Sequence, residues 1–328
     1  MRPVPVAAAL VLCAGVLAVP VLAQAPKPEA APARGHFENL KVLPKDISEE
    51  DLRAMMNGFT RALGVRCEYC HVHEAGKAFT HEDFPKDDKV TKEKARAMIK
   101  MVRDINANYI ANLTHPQDPP VDVQCVTCHH GAPVPRTLQT VLQTAYAKGG
   151  LDSTLAQYRL LRERTYGRFT YDFGDVPLAD VGTGLASAGH FADAESLLAL
   201  NVAMNPKSPF AKRQYASITV ANGFRQSSAA GTKALADVRA QNGADSFNEE
   251  MLNGVGYMLL GQKEYPAAIA VFQANVQEHP QSGNVYDSLG EAYLAAGDKK
   301  KARAAYEQSL KLDPKNDHAR QQLELMKK

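Results

Sequence analysis

The residues of this 328-residue chain best suited to chemistry lie in two short segments, CEYCH at 67–71 and CVTCH at 125–129. In each, two thiols stand three positions apart on one side of a helical turn, and a histidine follows the second thiol directly. That spacing lets both sulfurs add to the two vinyl groups along one porphyrin edge, with the adjacent imidazole held under the iron as proximal ligand. The pattern implies two covalently bound c-type haems, attached through Cys67, Cys70, Cys125 and Cys128 and ligated by His71 and His129. Zinc is the first competitor, but zinc ribbons place their cysteine pairs about 15 to 20 residues apart. Cys125 follows Cys70 at more than twice that distance, and zinc gives no reason for a histidine after each pair. A dithiol redox centre is the second competitor. Thioredoxin-like folds alternate strands and helices, and this sequence shows almost no strand pattern.

A six-coordinate haem needs a second axial ligand besides the histidine, and each motif is preceded by a helix that carries methionines. Ser48 has the type and position of an N-cap, with Asp51 at the third helical position and Ile47 stapled against Leu52. Leu52, Met55, Met56, Phe59 and Leu63 share one apolar face before Gly64 ends the helix. A polar loop follows the first motif. Thr91 then reads as the cap of a second helix whose face is Ala95, Met98, Met101, Val102, Ile105 and Tyr109. Met55 and Met56 compete for the first iron, and Met98 and Met101 for the second; spacing does not choose within either pair. His73, His81, His115 and His130 lie in loops near the motifs and read as surface residues. His115 is the best placed of them as a substitute ligand.

Beyond the motifs the pattern changes to paired short helices. Gly256 aligns with Gly290, Ala268 with Ala302, Phe272 with Tyr306 and Pro280 with Pro314, a constant shift of 34 residues, which is the tetratricopeptide period. A weaker copy has Gly182, Ala194 and Pro206 in the corresponding places, and a degenerate unit is expected between Pro209 and about Glu249. The histidines of this region, His190, His279 and His318, fall in repeat turns and read as structural or exposed.

The expected organisation is a signal peptide over 1–23, an Ala/Pro-rich linker over 24–35, a dihaem cytochrome c domain over 36–140, a connecting segment over 141–174 and a repeat domain over 175–328. The fold class is mainly α: a small helical dihaem domain followed by a TPR-like α-helical solenoid. Met1, Arg2 and the apolar run ending at Ala23 have the form of a secretory signal. Gly15 and Pro20 interrupt that run, which falls short of the roughly 20 apolar residues of a spanning helix. The mature chain is thus expected to be exported, in the periplasm or its equivalent, with no transmembrane segment. Cys13 leaves with the signal. A net charge of +2 with no basic block excludes the electrostatic footprint of a nucleic-acid binder.

The segment from about His36 to Pro135 resembles the cytochrome c subunit of photosynthetic reaction centres and its shorter soluble relatives. The resemblance lies in NLKVLP, MNGFTRALGVRCEYCH, KARAMIKMVRDINANY and CVTCHHG. In that family each haem lies along a helix whose methionine binds the iron, so the resemblance implies Met56 and Met98 as the sixth ligands. Two departures stand out. The photosynthetic subunit has four haems, and its usual arginine after the second motif is His130 here. The position near Asn112, where four-haem proteins carry a histidine ligand, is not histidine.

Three functions compete. An electron carrier, not an enzyme, passes single electrons between redox partner proteins of the cell envelope and needs no substrate pocket. A dihaem peroxidase needs one iron with an open position and nearby acid and base groups, which paired methionine helices oppose. A haem-containing sensor or assembly adaptor is the third. The repeats add a groove suited to a protein or peptide partner.

Overall fold

Ser48 starts the first helix as its type and position require. Its Oγ accepts from the Asp51 backbone N–H at 3.1 Å, and helix α1 (Glu49–Leu63) opens with Glu49, Glu50 and Asp51 against the positive end of the helix dipole. Gly64 closes it in the left-handed region at φ 64°. A side chain there has no room, because a Cβ on Gly64 would lie 2.1 Å from the Gly131 carbonyl oxygen. The Gly131 N–H in turn donates to the Ala62 carbonyl at 2.9 Å, so the end of α1 is joined to the turn just after the second motif. These coordinates come from a computed structural model that describes residues 37–73, 77, 79, 83–114, 121–243 and 247–327. The expected signal, linker, His36, His81 and His115 lie outside the described residues.

Helix α2 (Val90–Asp104) is not capped as expected. Lys89 holds the cap position without a side-chain bond, and the Thr91 hydroxyl instead donates to the Tyr69 carbonyl at 2.5 Å. The helix starts one residue before Thr91, so Thr91 lies in its first turn and its hydroxyl is left to bond the carbonyl at the first motif. At its other end α2 widens into a π-turn over Ile105–Tyr109 and then tightens into a 3-10 turn over Ile110–Asn112. The second motif itself forms the short helix α3 (Cys125–His129), where the Gln124 N–H donates to Thr127 Oγ1 at 3.0 Å.

The rest of the chain is a right succession of packed helices. Helix α4 (Leu138–Thr165) is capped by Thr137 and broken at Gly149 and Gly150. Then come α5 (Asp175–Ser187) with α6 (Phe191–Met204), α7 (Pro209–Gln226) with α8 (Ser228–Asn242), α9 (Glu249–Gly261) with α10 (Tyr265–Glu278), α11 (Gly283–Ala295) with α12 (Lys299–Leu312), and finally α13 (Asp317–Leu325). The expected degenerate unit is the α7–α8 pair.

Each pair closes on a glycine facing a large side chain. A Cβ on Gly182 would meet Leu198 at 2.6 Å, one on Gly256 would meet the Phe272 ring at 2.5 Å, and one on Gly290 would meet the Tyr306 ring at 2.7 Å. In α7–α8 the roles reverse, with Gly231 on the second helix facing Phe224 on the first. Buried Asn201 and Asn275 repeat a second device: their Nδ2 groups donate to the carbonyls of Asp175 and Glu249, at 2.8 and 3.0 Å, satisfying carbonyls at the start of the partner helix.

One buried core runs through all these pairs and includes Leu138, Leu142 and Tyr158 of α4. The segment expected as a connection is therefore largely helical and shares the repeats' core. Before Leu138, by contrast, the only buried hydrophobic residues described are Ile47, Ala62 and Ala132. No strand and no helix long and apolar enough to cross a membrane occurs among the described residues.

Candidate functional site

The first cysteine motif is a single 3-10 turn over Cys67–Tyr69, in which the N–H groups of Cys70 and His71 both point back to the Cys67 carbonyl, at 3.1 and 2.9 Å. This turn gathers the two thiols and the imidazole. His71 Nδ1 lies 3.2 Å from the Phe84 carbonyl oxygen. A carbonyl only accepts, so Nδ1 carries the proton and Nε2 is left with its lone pair.

The carbonyl that holds His71 is itself held. Lys92 Nζ donates to the carbonyls of Phe84, Pro85 and Lys86 at 2.9, 3.0 and 2.7 Å. Asp87 then ties this loop to its surroundings through Lys41 at 2.6 Å, Arg96 at 2.8 Å and Lys92 at 3.0 Å. Hydrogen bonds from Arg96 and Lys41 hold the Asp87 carboxyl well below the usual carboxylate range. Burial, with the positive charge of Lys92 nearby, pushes the His71 imidazole below its ordinary value. Both effects favour the neutral ring that a metal ligand must be.

The second motif repeats this arrangement with different parts. His129 Nδ1 lies 2.8 Å from the Ala132 carbonyl, so its Nε2 is also free. The tight return of the chain from His129 to Ala132 uses two left-handed residues, His130 at φ 46° and Gly131 at φ 84°. Beside Cys128 and His129 opens a cleft of about 500 Å³ walled by Arg136, Leu138, Thr170 and Tyr171. Asn106, in the π-turn after α2, fixes the chain entering this motif: its Nδ2 donates to the Val123 carbonyl at 2.8 Å, and its Oδ1 accepts from the Val123 N–H at 2.9 Å. Helix α2 is thus anchored to the first motif through Thr91 and to the second through Asn106.

The thiols behave unlike a redox pair. All four are free, and burial pushes the Cys70 and Cys125 thiols up. Reactive dithiols lower the pKa of their attacking sulfur. Met55 and Met56 are half-buried on α1, whereas Met98 and Met101 are 43 % and 44 % exposed on α2. Phe84, Tyr109, Val121 and Val126 near the motifs are exposed as well. Among the described residues this region buries only Ile47, Ala62 and Ala132 beside several exposed large apolar side chains, a lining that leaves room for another apolar group. A porphyrin fits that description and the free Nε2 positions.

Sequence reasoning located the cysteines, the histidines and the methionine helices. It did not find the Phe84 and Ala132 carbonyls, Lys92, Asp87 or Asn106. Backbone acceptors leave no trace in residue type, and the Lys92, Asp87 and Asn106 roles depend on chain crossings. Among the other histidines, the His73 ring meets Phe79 edge-on at 4.1 Å and His130 is exposed on its left-handed turn.

A helical array behind a pair of CxxCH turns defines a cytochrome-type chain with a repeat domain, and comparison with known proteins agrees. Residues 10–167 match the family of the photosynthetic reaction centre cytochrome C subunit, and residues 283–316 match the tetratricopeptide repeat. The matches support a fusion: the N-terminal segment is similar to the reaction-centre cytochrome c subunit family, for which c-type haem is implied, and the C-terminal segment to the tetratricopeptide repeat. Cytochrome c-554 of Chloroflexus aurantiacus is 38 % identical over 95 residues, covering 29 % of this chain and 20 % of that protein. The reaction center cytochrome c subunit of Roseobacter denitrificans is 32 % identical over 105 residues, covering 31 % and 26 %. The chain thus spans about a fifth to a quarter of the length of these relatives. Among solved structures it is similar to MamA from Desulfovibrio magneticus RS-1, at 18 % identity and a TM-score of 0.28 over 55 % of this chain and 95 % of that one.

Proposed function

We propose that this protein is an exported dihaem c-type cytochrome that transfers single electrons, with a repeat domain that docks a partner protein. The reading rests chiefly on one observation: both motif histidines have Nδ1 tied to a backbone carbonyl, at 3.2 and 2.8 Å, which leaves both Nε2 lone pairs for iron. Bound there, haem supplies one-electron chemistry through its iron. The chain's own groups do the rest. Cys67 and Cys70 hold one porphyrin edge, and Cys125 and Cys128 another. The carbonyls of Phe84 and Ala132 fix the tautomer and tilt of His71 and His129 and make each ring a stronger donor. Met56 and Met98, the sixth ligands that family resemblance points to, offer a soft neutral sulfur that favours the ferrous state and raises the potential. Burial, which lowers the His71 pKa, keeps that ligand neutral and available.

On this reading the haem-bearing region is 36–140, and redox partners of the cell envelope meet it there. The repeats from 175 onward bring a protein or peptide to the groove. Mass spectrometry of the exported protein tests the cofactor count: two covalent haem additions are expected, and Cys67→Ala with Cys70→Ala removes one. An unmodified mass with bound zinc overturns the reading. Met56→Ala and Met98→Ala each abolish one methionine-to-iron charge-transfer band; loss with Met55→Ala or Met101→Ala instead reassigns the ligand. Efficient peroxide turnover by the reduced protein favours the peroxidase alternative.

A further inference from the structure

Far from the cysteines, α11 and α13 bring Asp287, Glu291 and His318 together so that one possible ligand atom from each lies within 4.8 Å of the others. Asp287 and Glu291 stand one helical turn apart on α11, and His318 lies in the first turn of α13. His318 Nδ1 is 2.9 Å from Asp287 Oδ2 and donates to it. Its Nε2 lies 3.5 Å from Glu291 Oε1 and 3.2 Å from the Gln322 side-chain nitrogen, an amide that only donates; a metal ion at Nε2 would take the place of that amide. Two ligands on a tetrahedral zinc, each bonded at about 2.0 to 2.1 Å, lie roughly 3.3 Å apart. The Asp287 bond to Nδ1 is the outer support that a metal-bound histidine ordinarily receives.

Two further observations point to a cation at this place. Among the described residues, no lysine or arginine pairs with Asp287 or Glu291, whose ion-pair partner is His318, and Asp287 is only 13 % exposed. Two partly buried carboxylates sharing one imidazole are short of positive charge. The second observation is independent of the cluster's own bonds. Tyr306 is wholly buried and its hydroxyl has no partner. Its ring meets that of His318 edge-on at 6.1 Å, and burial, with the charges of Glu291 and Asp287 after it, pushes its hydroxyl up. Asp287 Oδ1 is likewise buried without a hydrogen-bond partner. Orphaned polar atoms facing one cluster mark a place for a bound polar species.

We propose that Glu291 and His318 bind a divalent transition-metal ion of the zinc class, with Asp287 orienting the imidazole and the Tyr306 hydroxyl reaching a metal-bound water. The ion fastens α13 to α11 at the end of the helical array. The competing account is a protonated His318 clamped between two carboxylates, which needs no metal. Calorimetric titration of the full-length, chelator-stripped protein with zinc chloride at pH 7.5 separates the two. One zinc site is expected in the wild type, lost in Glu291→Gln and in His318→Gln, and weakened about 10- to 100-fold in Asp287→Asn. Zinc raises the Tm of the wild type and leaves that of Glu291→Gln unchanged; Tm values measured without zinc show that each variant is folded. Absence of zinc binding in the wild type, or equal affinity in all four proteins, overturns the proposal.

Discussion

The two halves of this molecule solve the problem of a core in different ways. From Leu138 onward, one continuous set of buried side chains runs through every helix pair, and glycines such as Gly256 and Gly290 are placed against the rings they admit. Between residues 37 and 137 the described core is Ile47, Ala62 and Ala132. Ion pairs and side-chain bonds to backbone hold that half instead: Asp87 to three cations, Lys92 to three carbonyls, Asn106 to both groups of Val123. Such contacts fix geometry but stabilise weakly. On the proposed reading the first half is built around haem, whereas the described part of the second packs on its own side chains.

Removing the attachment chemistry is the harshest way to break this comparison. With Cys67, Cys70, Cys125 and Cys128 all changed to Ala, α1, α2 and α3 are expected to lose amide-exchange protection while α5 to α13 keep theirs. Equal protection in both halves sinks the idea that haem serves as the missing core.

Glycine substitutions sharpen the contrast. Gly64→Ala forces a left-handed backbone and sets a Cβ 2.1 Å from the Gly131 oxygen, a rigid neighbour, at a cost of about 3 kcal/mol. Gly290→Ala meets the Tyr306 ring at 2.7 Å, which can tilt, and costs about 2 kcal/mol. Chemical denaturation of both variants measures the order, and a larger loss at Gly290 contradicts it.

Asn106→Leu removes two bonds to Val123 and costs about 2 kcal/mol. Because Asn106 also sets α2 against the second motif, the methionine-to-iron band of one haem is expected to weaken, with the other unchanged. A spectrum identical to the wild type shows that Asn106 does not position the ligand helix.

Truncation tests how far the halves are independent. Ligand and burial set each potential locally, so removing residues from 175 onward is expected to leave both nearly unchanged while slowing exchange with a partner that docks on the repeats. Removing residues from 141 onward also takes away Thr170 and Tyr171, which wall the cleft beside His129. A shift in the second potential alone is expected in a redox titration of that shorter chain.

The smallest effect concerns pH. Asp87 has its carboxyl pKa depressed by Arg96 and Lys41, so its contribution to stability is full above the unfolded carboxylate value and is lost gradually as pH falls from there through the depressed folded value. Asp87→Asn should therefore destabilise the protein most at pH 7 and less, though still measurably, at pH 2. Equal loss at both pH values indicates a steric cause.

Local signals in the sequence were enough for the cysteine motifs, the Ser48 cap, the Gly64 stop and the 34-residue repeat, because each depends on residues within a few turns of chain or on a period. Thr91 shows where that reasoning stops. Its type suits a cap, but the helix begins before it, and its hydroxyl donates to the Tyr69 carbonyl that folding brings near.

The chain by itself determined that two CxxCH turns exist, each behind a helix carrying methionines, and that a helical array follows. Only the tertiary structure decided which carbonyls orient His71 and His129, that α4 joins the repeats' core, and that His318 faces two carboxylates across two helices. The physical reason is range. Caps, turns and helical faces are set by neighbours along the chain, whereas a backbone acceptor or a charge cluster is made by segments that meet only when the chain has folded.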